Sequence, residues 1–380
     1  MNHTNEDAVI RRCLGLGNAP QDASALKFLC QKALDWDYIL RTAREEGLSP
    51  VIYHSLKKHA PQFLPPEVSD SLKNAYLSTA LRNEHFLNEL EEVLQAAQEI
   101  KIPVILLKGI ALIKTVYKDV AFRPMGDIDI FIPADRLVNF EEAVFRLGYS
   151  ADQTAPFYYI KKSRFSVPLD VHTDIRYLES PQDIWQSALS IRLNKVQAKV
   201  MRPEDQIIYL ASHASIHHGN ISRLQLLDIS QTLKVNSGQI SWPGLAQKII
   251  KYNIGIPLYH VFKRLRDYLE VDVPASFLDK IYCPGKRRIE KSFYALVLNS
   301  APQADIGHIL HFFICRGIRH KIGYVISFLF PPRGFMLRRY KIKNSCLVYL
   351  YYPYRLASHA IRTVRVFKRL FWGILDKDIL

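Results

Sequence analysis

The 380-residue sequence predicts an α+β protein: a small mixed sheet within residues 101–200, flanked by an N-terminal helical region at 1–100 and a C-terminal helical region at 201–380. Three observations predict this. Apolar residues recur at helical spacing through 71–100, the period switches to two at Asp127–Ile132, and helix-start chemistry returns at Arg202-Pro203-Glu204-Asp205. Hydrophobic residues at 48% and charged residues at 23% fit a globular chain, and the 20 prolines and 16 glycines show no period, which excludes collagen-like and low-complexity arrays.

In the first region, breaks at Gly47-Leu48-Ser49-Pro50 and between Pro61 and Pro66 separate helices. The stretch from Ser71 to Ile100 carries Leu72, Tyr76, Leu77, Leu81, Phe86, Leu90, Val93 and Leu94 at roughly 3.6 spacing, so a helical layer is expected. After Lys101 the short run IPVILL, then Lys108-Gly109, then a segment to about Tyr117, reads as strand, tight turn and helix. DIDIFI alternates and stops at Pro133, the pattern of a half-buried strand. A helix follows from Asp135 to Leu147, with Gly148 placed to end it, and the segments 157–162 and 165–175 are short enough to pair as a hairpin. Pro203 in a first helical turn and the acidic pair behind it start the helices that continue to about Leu269, with more beyond Pro274.

The chemistry concentrates in Gly126-Asp127-Ile128-Asp129. Residues two apart on a strand point to one face, so two carboxylates project together and call for positive charge between them, which divalent cations with oxygen ligands supply. In Pro168-Leu169-Asp170-Val171-His172 the same alternation turns Asp170 and His172 away from the core, bringing a third carboxylate to that face. Three carboxylates are the minimal set for two metal ions, one activating an attacking oxygen and one holding a triphosphate. The Lys108-Gly109 turn at a helix start and Arg123 before the motif add amides and counter-charge for phosphate. The competing reading, an ordinary strand with aspartates on its wet face, stands beside this one.

The segment VILLKGIALIKTVYKDVAFRPMGDIDIFI resembles the nucleotidyltransferase signature of the DNA polymerase beta superfamily, and more closely a bacterial group of uncharacterised nucleotidyltransferases. The resemblance rests on Leu107-Lys108-Gly109, Tyr117, Arg123, Asp127-Ile128-Asp129 and Asp170-Val171-His172. It extends to LSPVIYHSL, to residues 213–228 and to FPPRGFMLRRY, covering about residues 25–355. It implies that Asp127, Asp129 and Asp170 are catalytic and ligate two Mg2+ ions, with Mn2+ as a substitute, and that Lys108, Gly109 and Arg123 bind a nucleoside triphosphate such as ATP. The implied reaction moves a nucleoside monophosphate to a hydroxyl or phosphate of an unidentified acceptor. The sequence departs from the wider superfamily at Ile110, where a small residue would follow the turn glycine, and in a longer interval from Gly109 to Asp127.

Four further residues are candidates for contacting the acceptor or supporting the site: His172, His213, His217 and Asp228. His172 either orients an acceptor or is a structural histidine. His213 and His217, one helical turn apart, suit zinc by spacing, but Ala214 stands where a zinc protease carries Glu, so substrate-lining or structural roles are favoured. Asp228 is read either as an acceptor contact or as an internal ion pair with Arg223.

Net charge is +15, and residues 301–380 hold 14 Lys and Arg against 3 Asp and Glu, so the excess belongs to the C-terminal fifth. That tail offers three readings: solubility, contact with an anionic membrane surface, or nucleic acid stacking on its tyrosines, the last not favoured without a recognised motif. A non-catalytic protein of the same fold, binding nucleotide, RNA or a partner protein through this tail, is the alternative to the enzyme. The first twenty residues lack a signal-peptide pattern, the five cysteines are scattered and odd in number, and the longest apolar stretch in the tail is nine residues, so a cytoplasmic protein without disulfides or membrane spans is expected.

Overall fold

The computed structural model describes residues 3–364 apart from 16–19, 118, 153–154, 156, 163–164, 176–177, 179–180, 218, 283–290, 292–293, 296, 299–311, 313, 315–316, 332, 341, 343–344, 359 and 362–363. The part of the basic tail beyond 364 therefore lies outside the described residues.

Four short helices, α1 (Thr4–Leu14), α2 (Pro20–Cys30), α3 (Trp36–Glu45) and α4 (Ser49–His59), bury Val9, Ile10, Ile39, Ile52 and Leu56 in one core. Gly47, at φ +69°, makes the left-handed turn between α3 and α4 that the Gly-Leu-Ser-Pro break predicts. The 34-residue helix α5 (Pro66–Glu99) then serves two cores. Its first turns, through Val68 and Leu72, pack with α1–α4, while Phe86, Leu90, Val93, Leu94 and Ala97 face the sheet. Leu77 and Leu81, part of the predicted apolar stripe, are 46% and 66% exposed because they fall on the side of the helix away from buried Leu72, Asn83 and Leu90.

The sheet comprises β1 (Ile105–Leu106), β2 (Ile128–Phe131), β3 (Tyr149–Ala151), β4 (Tyr158–Lys161), β5 (Val167–His172), β6 (Leu189–Leu193) and β7 (Val196–Val200), in the order β3-β4-β5-β2-β1-β7-β6. β2 runs parallel to β5 and β1 parallel to β7, while the other neighbours are antiparallel, so the sheet is mixed. α6 (Lys108–Thr115) follows β1, and α7 (Leu137–Arg146) follows β2 and ends one residue before the Leu147-Gly148 turn. The predicted hairpin is β4 with β5.

Two expectations need correction. β2 is buried along its whole length rather than half-buried, because it lies at the sheet centre with a helical layer over each face. The hairpin β6–β7 was not predicted. Its signal was present in the sequence: Leu189–Leu193 and Val196–Val200 alternate with Ser190, Arg192, Gln197 and Lys199 on the outward side, around a turn made by Asn194 at φ +50°, a left-handed conformation that asparagine tolerates.

One sheet face packs on α5, α6 and α7, with Leu106, Ile128, Ile130, Leu169 and Val171 in that core. The opposite face, with Ile105 and Phe131, meets the C-terminal helices α9 (Pro203–Ser212), α10 (Arg223–Val235), α11 (Trp242–Lys251), α12 (Gly255–Leu269) and α13 (Ala275–Ile281). α8 (Pro181–Ser187) precedes β6, and a π-helical turn, His213–His217, continues α9. Further helices span Gly317–Leu329 and Arg333–Arg339.

Candidate functional site

Strand register brings the acidic residues together. β2 and β5 align Asp129 with Asp170 and Phe131 with His172. Since Ile128, Ile130, Leu169 and Val171 point into the core under α5 and α7, the intervening Asp129, Asp170 and His172 point to the other face, toward the C-terminal helices. His172 Nε2 lies 3.1 Å from Asp129 Oδ1 and 3.2 Å from Asp170 Oδ2. Burial opposes ionisation of Asp129, which is 3% exposed, but the hydrogen bond from His172 and the charge of Lys108 outweigh it and hold the carboxyl below the usual range. The reciprocal effect on His172 overcomes burial, and the two carboxylates push its imidazole up to about 9. Asp127, just ahead of β2, is pushed up to about 6 by burial and then by the negative charge of Asp129.

The Lys108-Gly109 turn differs from the expected glycine turn. Lys108, not Gly109, holds the positive φ, +46°, where α6 begins. Gly109 is required by space: a Cβ there would stand 2.9 Å from Met125 Cγ and 3.4 Å from Arg123 Nη1. The left-handed backbone turns the Lys108 ammonium onto Asp129 Oδ1, to which it donates a hydrogen bond, and sets it 4.0 Å from Asp170 Oδ2. The lysine expected to supply counter-charge for phosphate engages the acidic pair, because those two carboxylates are its nearest anionic partners.

Arg123 is likewise engaged. Its Nε donates to Asp228 Oδ1 and Oδ2 at 3.0 and 2.9 Å, Tyr117 Oη donates to Asp228 Oδ1 at 2.7 Å, and Arg123 Nη1 donates to the Pro124 carbonyl. Asp228 is 2% exposed, and burial pushes its carboxyl up while Arg123 and Tyr117 pull it back. Of the two readings of Asp228, the ion pair with Arg223 does not form; its partner is Arg123. Arg223, at the start of α10, reaches the other way to Glu46 and Asp7, at 2.8 and 2.7 Å, and ties α10 to the N-terminal helices. Asn83 of α5, fully buried, donates to the carbonyls of Val120 and Arg123 at 2.6 and 2.9 Å and holds the loop from below.

These residues surround one cavity of about 420 Å3. Lys108, Gly109, Arg123, Asp127, Asp129 and Asp170 line it from the sheet side, and His213, His217 and Asp228 from the helical side. Of the ten candidate site residues only His172 is absent from the lining, and it contacts that wall through Asp129 and Asp170. The rings of His213 and His217 stack at 4.9 Å, interplanar angle 13°, on the π-helical turn. The sequence reading missed Ser222 and Gln225, which form the capping box of α10 and line the cavity, along with Leu210 and Leu224. Ser222-x-x-Gln225 before an apolar run was the available signal. Tyr158 was also missed. It sits opposite Asp170 in the β4–β5 pairing, and burial together with the charges of Asp127 and Asp170 pushes its phenol up to about 12.

Asp129, Asp170 and His172 offer ligand atoms that all lie within 4.8 Å of one another, a donor set of two carboxylate oxygens and one imidazole nitrogen that fits a divalent cation. Asp127 shares the cavity wall but not that close group. Among the described residues, the expected three-carboxylate convergence is therefore two carboxylates and a histidine.

Residues 32–270 match the sequence profile of a family described as uncharacterised nucleotidyltransferase. Among solved structures, an antigenic nucleotidyltransferase-like protein from Paracoccidioides brasiliensis aligns with 54% of this chain and 95% of its own, at 16% identity and a TM-score of 0.35. No match is found among curated proteins.

Proposed function

The chain belongs to the uncharacterised nucleotidyltransferase family, and from that membership we propose a metal-dependent enzyme that transfers a nucleoside monophosphate from a nucleoside triphosphate to a hydroxyl or phosphate of an acceptor. The observation that carries the reading is the register of β2 on β5, which sets Asp129 beside Asp170 in the wall of a cavity that also holds the Lys108-Gly109 turn and Arg123.

In this reading Asp129, Asp170 and His172 hold a divalent cation, Mg2+ or Mn2+, with Asp127 available for a second. The bound metal supplies charge neutralisation on the triphosphate and acidifies the acceptor hydroxyl. The acceptor oxygen attacks the α-phosphorus in line, its proton passes to the Asp170 carboxylate, and the bond from the α-phosphorus to its bridging oxygen breaks to release pyrophosphate. The protein contributes position and charge. Lys108 meets the phosphates once its ammonium leaves the acidic pair, and the helical wall, with His213, His217, Ser222 and Gln225, orients the acceptor. A cavity of about 420 Å3 lies within the range of small-ligand sites, and its two walls of different chemistry suit a nucleotide on one side and an acceptor group on the other.

One observation favours a second reading. Lys108 and His172 already neutralise Asp129 and Asp170, which is the arrangement of a site that binds nucleotide without turning it over. Incubating the purified protein with each nucleoside triphosphate and a cell extract separates the two. The enzyme yields metal-dependent pyrophosphate and a product heavier by one nucleoside monophosphate by mass spectrometry, both abolished by Asp129→Ala. Nucleotide binding without pyrophosphate under any triphosphate and metal would overturn the catalytic reading.

A further inference from the structure

Of the twenty exposed large hydrophobic side chains among the described residues, eleven lie between Ile318 and Val364, so the C-terminal segment carries a concentration of exposed apolar surface. On the helix Gly317–Leu329, Ile318, Ile322, Val325 and Ile326 are 70%, 51%, 37% and 54% exposed, and their spacing of four, three and one places them on one face. Exposed Arg319 and half-exposed Lys321 fall on the two edges of that stripe. To one side of the stripe Tyr324 and Phe328 are half-buried, and Arg355, 8% exposed, donates to the Phe328 carbonyl at 2.8 Å. Phe330, 51% exposed, stacks on Tyr352, whose hydroxyl donates to the Pro331 carbonyl at 2.7 Å. The stripe is thus a face of folded structure.

The charge around it has one sign. No Asp or Glu occurs between Ile306 and Leu375, while Arg333 and Arg339 stand beyond the helix end. We propose that this segment docks on an anionic lipid surface, with the helix Gly317–Leu329 lying in the plane of the headgroups. Its branched aliphatic face enters the acyl boundary, and Arg319 and Lys321 reach up to phosphate on either side. Nucleic acid fits the charge but not the stripe, since bases stack on aromatic rings and gain nothing from a row of isoleucine and valine. A second copy of this chain would bring a basic segment against a basic segment. No helix among the described residues is long and apolar enough to cross a bilayer, so the contact is with the surface.

Co-sedimentation of the full chain with vesicles tests this, using phosphatidylcholine alone and phosphatidylcholine mixed with phosphatidylglycerol. Binding is expected to the mixed vesicles only, to weaken as salt rises, and to fall about tenfold or more in Ile322→Glu/Ile326→Glu and in the milder Ile322→Ser/Ile326→Ser. Three results would each overturn the proposal. The first is no binding to mixed vesicles at low salt. The second is undiminished binding by both stripe variants. The third is a lipid-free dimer, seen by light scattering, that the stripe variants convert to monomer, since a second copy would then cover the face. Pyrophosphate release in solution reads the catalytic site separately, so failure of one does not mimic failure of the other.

Discussion

Replacing Asp228 by alanine should unfold the joint between the sheet and the C-terminal helices more than any exposed substitution. The carboxylate, 2% exposed, holds Arg123 through two contacts at 3.0 and 2.9 Å and accepts from Tyr117 at 2.7 Å. At 3 Å and an effective dielectric near 20, the charge pair is worth about 5 kcal/mol gross. Its removal leaves a guanidinium whose side chain is 15% exposed without its hydrogen-bonded carboxylate, and a buried phenol with no acceptor. Breaking one side of such a buried pair costs roughly 3–5 kcal/mol, whereas removing both charges costs much less. The assay is urea unfolding by circular dichroism on Asp228→Ala, Arg123→Met and the double variant. The expected result is a loss of roughly 3–5 kcal/mol in Asp228→Ala, with a coupling of at least about 1.5 kcal/mol in the cycle. A loss below about 1 kcal/mol, or additive single effects, would refute the view that this pair clamps the helical wall onto the loop before β2.

Three other outcomes follow from the same structure. Gly109→Ala should destabilise by about 1–3 kcal/mol, because the new methyl meets Met125 Cγ at 2.9 Å, and Met125→Ala should recover part of that loss in thermal melts. Lys108→Met, by removing an ammonium that competes for Asp129 and Asp170, should tighten Mn2+ binding about tenfold, read by electron paramagnetic resonance of free Mn2+; unchanged or weaker binding would show that the lysine does not compete. His260, lowered to about 4 by burial and then by Lys263, is held neutral in the fold. Because that value lies below the ordinary 6.5, its neutral form contributes stability present above pH 6.5 and lost as pH falls toward 4, so His260→Phe should flatten the acid limb of a plot of melting temperature against pH.

Local pattern made much of the fold legible. The alternation of Asp127–Ile132, the Pro-Glu-Asp start at 203–205 and the glycine at 148 each act within a few residues, and the elements stand where those signals put them. β6 and β7 carry the same alternation, Leu189–Leu193 and Val196–Val200 about the Asn194 turn, so that hairpin was legible in local pattern although the reading passed over it. The full burial of β2 was hidden, since a strand's place in the sheet order depends on partners far along the chain.

For the candidate site, the sequence singled out Lys108, Gly109, Arg123, Asp127, Asp129 and Asp170, since an acidic alternation and a lysine-glycine turn are short-range features, and all six line one cavity. Which partner each side chain takes was decided only by tertiary structure. Asp170 reaches Asp129 through parallel pairing of β2 with β5, and His172 comes with it to make the close donor group from which Asp127 stands apart. Arg123 finds Asp228, 105 residues away, while Arg223 turns to Glu46 and Asp7. Charges are recorded in the sequence, but Coulomb energy depends on distance and burial, and both are created when the helical layers close over the sheet.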